Sequence, residues 1–131
     1  MLYEYQLSAQ KENFYNITTQ VSEAVAKSGV TNGIVVTYCP HTTAGITINE
    51  NADPDVVHDM LLGLAKAYPD RTEFRHGEGN SAAHLKASAM GSSATVIIEG
   101  GKLLLGTWQS LWFCEFDPPR NRKFYVKVVK E

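Results

Sequence analysis

The stretch Ala94–Val129, ATVIIEGGKLLLGTWQSLWFCEFDPPRNRKFYVKVV, decides the fold class. It is rich in β-branched and aromatic residues, and it breaks at Gly100-Gly101 and at Asp117-Pro118-Pro119-Arg120. The glycine pair is a hairpin signal. Two consecutive prolines cannot sit in a central strand. The pattern predicts four strands, Ala94–Glu99, Lys102–Leu105, Thr107–Phe116 and Lys123–Val129. No helix separates them, so they pair as antiparallel neighbours.

Upstream, Asn80-Ser81 can cap a short helix, AAHLKASAM, which Gly91 ends. Asp53 is a natural N-cap, Pro54 suits the first helical position and Asp55 suits the dipole. Val57, Leu61, Leu64 and Tyr68 then share one helical face, with Met60 beside them. Gly33–Cys39 and Ala44–Asn49 read as strands joined by Pro40-His41-Thr42-Thr43. Ile17, Val21, Ala24 and Val25 mark another helix, stopped at Ser28-Gly29, and Leu2–Ser8 reads as an opening strand. Strands and helices do not alternate strictly. The expectation is one α+β domain, 1–131, with about three helices and a mixed, largely antiparallel sheet.

The composition is ordinary: 131 residues, 44% hydrophobic, 20% charged, net charge −2. That is long enough to bury a core without staples. No global basic field points to nucleic acid. Arg120, Arg122, Lys123, Lys127 and Lys130 form the only basic cluster, read as a solvated strand edge. Two cysteines and no CxxC fit a reduced, cytoplasmic setting, with Cys39 and Cys114 as buried inert thiols. No stretch reaches transmembrane length, so no membrane partner is expected.

The richest chemistry lies in Cys39–Asp55, CPHTTAGITINENADPD. Glu50 between Asn49 and Asn51 can accept a proton or hold Mg²⁺, while the carboxamides orient a polar substrate. Asp53 can join it or simply cap its helix. His41, His76 and His84 come from separate segments. They can converge on zinc as an open site, or be ordinary surface or hydrogen-bonded histidines. His58 flanks the apolar stripe of its helix, and Asp59 faces away from it. Strand alternation puts Trp108, Ser110, Trp112 and Cys114 on one face and Gln109, Leu111, Phe113, Glu115 and Asp117 on the other. The second face mixes apolar and acidic residues, as a pocket wall or subunit contact would. Arg120 can pair with an acid or fork onto a phosphate.

Three blocks, HTTAGITINENADPDVVHD (His41–Asp59), HGEGNSAAHLKASAMGSS (His76–Ser93) and GGKLLLGTWQSLWFCEFDPPRNRKFYVKV (Gly100–Val128), together resemble the YjbQ-like family, also called the secondary thiamine-phosphate synthase family. The resemblance runs essentially end to end. It implies strands curled into a half-barrel, a homotrimer, and a site near the subunit interface. The activity it implies joins hydroxymethylpyrimidine diphosphate to thiazole phosphate, giving thiamine phosphate and pyrophosphate. It further implies zinc at His41, His76 and His84, catalytic roles for Glu50, Asn51, Asp53 and Gln109, and substrate contacts from Thr42, Thr43, Asn49, Asn80, Lys86, Glu115, Asp117 and Arg120. Asp117-Pro118-Pro119-Arg120 departs from the family's DGPR, and proline for glycine removes a donor and any positive φ. The alternatives are a zinc-dependent hydrolase or lyase on another small phosphorylated substrate, or a non-catalytic trimeric metal- or ligand-binding protein.

Overall fold

Hydrophobic alternation along the last strands builds the frame. In the computed structural model, which describes residues 1–131, β8 (Arg120–Lys130) turns Arg122, Phe124, Val126 and Val128 inward. It lies between β1 (Leu2–Ala9) and β3 (Asn32–Tyr38), and β5 (Ser93–Glu99) and the two-residue β6 (Lys102–Leu103) complete a five-stranded sheet, β1-β8-β3-β5-β6. A second sheet has the order β2-β7-β4, from Asn13–Asn16, Gln109–Glu115 and Ala44–Glu50. All pairings are antiparallel. The strands curl into a half-barrel carrying three helices, the α+β architecture expected.

β7 has a core on each face, as strand alternation dictates. Leu111 and Phe113 join Phe124, Val126, Ile46 and the buried residues of α1 (Thr18–Ser28) in the main core. Trp112 and Cys114 turn the other way, onto Phe14, Phe116 and Ala83 and Ala87 of α3 (Ser81–Met90). Val57, Met60, Leu61 and Leu64 of α2 (Pro54–Ala67) pack against this smaller core, yet α2 buries no residue fully.

Helix ends follow the local chemistry in two of three cases. Asp53 accepts the Asp55 N–H at 2.9 Å and Pro54 opens α2. Gly29 ends α1 at φ 70°, a conformation that costs a side chain but not glycine. Asn80 precedes α3 without capping it, because its carboxamide is engaged by Asp117. Three strand expectations shift. Asn13–Asn16 forms an additional short strand, Leu104 and Leu105 fall outside β6, and Trp108 stands before β7, exposed.

α3 is held against β4 by a close backbone approach. A Cβ on Gly45 would sit 2.6 Å from the Gly91 carbonyl oxygen and 3.1 Å from the Met90 Cβ. That closeness lets the Ile46 N–H reach the Gly91 oxygen at 3.0 Å. Gly45→Ala is therefore expected to force α3 off the sheet at a cost of about 1–3 kcal/mol. Urea denaturation would read the loss, and faster hydrogen exchange at the Ile46 amide would locate it.

Candidate functional site

The segment richest in chemistry does not fold into one site. An antiparallel strand rises about 3.4 Å per residue, so β4 carries Glu50 on the order of 20 Å from Thr43. The candidate residues divide among three places.

The first place is the end of the β3–β8 ladder. β3 pairs with β8 from Gly33 to Tyr38, and Pro40 then has no N–H to continue it. The His41 ring takes over: its Nε2 lies 3.0 Å from the Lys123 carbonyl oxygen and 3.1 Å from the Lys123 amide nitrogen. One tautomer donates to the first and the other accepts from the second. His41 lines a recess with Thr42, His84, Ser88 and Ser92. His84 lies edge-to-face against His76, ring centroids 5.3 Å apart. Within one chain no three His, Cys, Asp or Glu side chains gather closely enough to hold a metal ion. The structure brings His76 to His84 and places His41 in the recess of His84. Burial, with the Arg122 guanidinium second, holds the His41 imidazole below its usual range and so neutral at pH 7.

The second place is a polar chain behind that recess. Arg122 donates through Nε and Nη2 to the two Glu115 carboxylate oxygens, both at 2.6 Å, and through Nη2 to Thr43 Oγ1 at 2.8 Å. Glu115 is fully buried and Arg122 is 8% exposed. The second Glu115 oxygen also accepts the Asp117 N–H at 2.8 Å. Asp117 in turn receives Arg120 at 2.8 Å and Asn80 at 2.9 Å on one carboxylate oxygen. The hydrogen bond from Arg120 holds the Asp117 carboxyl below the usual carboxylate range.

This chain corrects the reading of the basic cluster for Arg122. Arg120, Lys123, Lys127 and Lys130 are exposed as expected, but on a strand that lies between β1 and β3 rather than at an edge. Arg122 shares the inward phase of Phe124, Val126 and Val128, and Glu115 shares that of Leu111 and Phe113. That common phase was the available signal for a buried pair. Several expected substrate contacts are occupied internally. Lys86 is buried and donates to Glu12 at 2.9 Å, Arg120 is held by Asp117, and Thr43 and Glu115 are held by Arg122.

The third place is a cleft of about 460 Å³ between α2 and the β2–β7 edge. Glu50, Asn51, Asp53 and His58 line it above Phe14, Val57, Leu61 and Trp112. Asn49 accepts the Glu50 N–H at 2.7 Å through its side chain and the Trp112 indole N–H at 3.1 Å through its backbone carbonyl. His58 Nδ1 meets Asp59 at 2.9 Å with both side chains exposed, and of the two only His58 lines the cleft with Glu50. Gln109 stays outside the cleft lining. Its side-chain oxygen accepts the Gly106 N–H at 2.8 Å and fixes the turn into β7. Cys39 and Cys114 are buried, and burial raises both thiols, Cys39 to about 11, so neither is a ready nucleophile. No helix is long and apolar enough to cross a membrane.

A buried ion pair is destabilising to halve and cheap to replace whole. Glu115→Ala should cost about 3–5 kcal/mol, whereas the double change Glu115→Leu with Arg122→Met should recover most of it. Denaturant midpoints would measure both. Equal losses in the single and double variants would show that the Glu115–Arg122 pair does not act as a unit.

Known proteins match this chain over nearly its whole length. It is 53% identical over 130 residues to the UPF0047 protein MJ1081 of Methanocaldococcus jannaschii, covering 98% of this chain and 94% of that protein. It is 51% identical to the UPF0047 protein YugU of Bacillus subtilis, covering 93% of each. The fold superposes with TM-score 0.94 on the crystal structure of an uncharacterized conserved YjbQ/UPF0047 family protein from Clostridium acetobutylicum, 56% identical over 97% of this chain and 99% of that one. A YbjQ-like protein of unknown function from Sulfolobus solfataricus gives TM-score 0.94 at 30% identity, covering 100% and 97%. The family model for UPF0047 protein YjbQ-like matches residues 3–131, and with these relatives it shows that the chain belongs to the YjbQ-like, UPF0047 family.

Proposed function

We propose that the protein is a homotrimeric, metal-binding enzyme acting on a small phosphorylated substrate, and that thiamine-phosphate formation is among its activities. The observation that carries this reading is the anchoring of His41. When Nε2 donates to the Lys123 carbonyl oxygen, Nδ1 is left with a free lone pair. Ligating histidines characteristically hold their second ring nitrogen on such a carbonyl. His84 shares the recess and His76 touches His84. Drawn closer than they stand in the single chain, these three imidazoles would hold zinc, which would supply a Lewis acid for a phosphate oxygen.

Thiamine-phosphate formation is an alkyl transfer. The thiazole nitrogen attacks the pyrimidine methylene carbon, a C–N bond forms, and the C–O bond breaks with its electron pair leaving on pyrophosphate. Glu50 and Asp53 line one cleft and are the carboxylates suited to Mg²⁺, while Asn51 can orient a polar ring. In one chain this cleft and the histidine recess are separate. A trimer would let the carboxylate set of one copy work beside the histidine set of the next. The absence of any fully buried residue on α2, and the exposed Leu62 and Trp108, favour such an assembly.

The decisive assay supplies both phosphorylated halves and Mg²⁺ to protein purified without added metal. Thiamine phosphate should form, with roughly one zinc per chain and a mass in solution of three chains. Glu50→Gln and His84→Ala should each lower the rate by about 10²-fold or more. Mixed trimers of the two variants should regain part of the rate. Absence of product would sink the synthase reading. Bound zinc with turnover of another phosphate ester would then indicate the hydrolase or lyase. Ligand-dependent stabilisation without turnover would indicate a binding protein.

A further inference from the structure

The outer face of the five-stranded sheet is uncovered. The three helices pack into the two cores, and none lies on this face. Strand register defines its pattern. Ile34 of β3 pairs with Ile97 of β5 on one side and with Val129 of β8 on the other, which sets three apolar side chains in one cross-strand row. In the next row Val36 pairs with Lys127, and Lys127 with Leu2 of β1. These residues alternate with the buried Val35, Val96, Ile98, Val126 and Val128, so they point away from the core. Of the ten exposed large hydrophobic residues in the chain, five belong to this face: Leu2, Ile34, Tyr38, Ile97 and Val129. Scattered exposure needs no explanation, but an ordered apolar row on an uncovered sheet marks an interaction surface.

We infer that helix α2 of a second copy of this chain docks on that face. α2 is the other surface left without a cover. Its inward stripe is Val57, Met60, Leu61 and Leu64, while Asp55, Asp59, Leu62 and Lys66 stand on the opposite side, all exposed. The two surfaces match in charge and in spacing. From Asp55, Leu62 lies about 10 Å and Lys66 about 16 Å along the helix, at about 1.5 Å per residue. On the sheet, Lys127, Ile34 and Glu99 fall on one diagonal, with Val129 and Ile97 flanking Ile34. From Lys127, Ile34 lies about 8 Å and Glu99 about 17 Å away, given a rise of about 3.4 Å and a strand spacing of about 4.8 Å. Asp55 therefore meets Lys127, Leu62 meets the apolar row and Lys66 meets Glu99. None of these four charges forms an ion pair within its own chain. A helix laid the other way would set Lys66 on Lys127, so the charges fix its direction. The contact joins two different patches, and such heterologous contacts close into rings, of which a trimer is one. It also turns the start of α2, beside Glu50 and Asp53, toward the end of β8 that holds His41. The inference rests on the assembly part of the proposed function and not on its chemistry.

Sedimentation equilibrium of the full chain tests it. The wild type should have the mass of three chains, and Ile97→Asp and Leu62→Asp should each fall to the mass of one. Both positions are exposed, so an unchanged far-ultraviolet circular dichroism spectrum should show that the fold is intact. Asp55→Lys and Lys127→Glu should each weaken assembly about tenfold, and the two changes together should restore it. Leu85→Asp, at an exposed leucine of α3 outside both surfaces, should leave the mass unchanged. A trimer that keeps its mass in Ile97→Asp or Leu62→Asp removes this contact and spares the trimer. Charge reversals that add instead of cancelling, or an equal loss in Leu85→Asp, also overturn the contact. A monomeric wild type removes the trimer and the contact together. A trimer that depends on these residues but forms no thiamine phosphate keeps the contact and removes the synthase.

Discussion

The Glu115–Arg122 pair is the constraint on which the working end of this fold depends. Two charges are withdrawn from water, one of them completely. Such a pair is tolerable only when its geometry is excellent and its remaining donors and acceptors are met. Here both Glu115 oxygens take Arg122, and one also takes the Asp117 amide. Arg122 reaches Thr43 with the same nitrogen that meets Glu115. One pair therefore fixes the end of β7, the turn through the two prolines, the start of β8 and the connection before β4. Displacing any of these would leave a buried charge short of a partner.

The same arithmetic of partners sorts the cations. Lys86 is drawn beneath α3 by Glu12, and its ammonium also lies 6.0 Å from the Phe116 ring centroid. Arg120 stays at its own turn, bonded to both the side chain and the backbone carbonyl of Asp117. The two prolines of this turn do not free Arg120 from its acid. Arg122 is the most deeply held of the three, spending Nε and Nη2 on Glu115 and Nη2 again on Thr43.

The architecture was legible in the sequence wherever a local rule met no tertiary competitor. Asp53-Pro54 opens α2 because nothing else claims the Asp53 carboxylate. Alternation through Leu111, Trp112 and Phe113 assigned both faces of β7 correctly. Asn80 failed as a side-chain cap because Asp117, distant in sequence, captured its carboxamide. NFYN was too short to show a period, and its strand exists because β7 offers it a partner edge. The site was less legible than the fold. Cys39–Asp55 looks like one cluster when read as text, but an extended strand separates its two ends. Arg122 was masked by its basic neighbours, although its phase with Phe124 already placed it inside.

His41 shows how fold geometry sets chemistry that residue identity leaves open. A histidine on a surface loop can present either nitrogen. Here the end of a strand ladder holds Nε2 between an amide and a carbonyl of Lys123, and satisfies only one at a time. If Nε2 accepts from the amide, Nδ1 carries the proton and is a hydrogen-bond donor. If Nε2 donates to the carbonyl, Nδ1 is a bare lone pair, an acceptor in place of a donor. Arg122 and burial keep the ring from taking the second proton that would remove both options. The loss of backbone pairing at Pro40 thus does more than end β3. It confines His41 to two neutral tautomers, one presenting Nδ1 as a donor and the other as a bare lone pair.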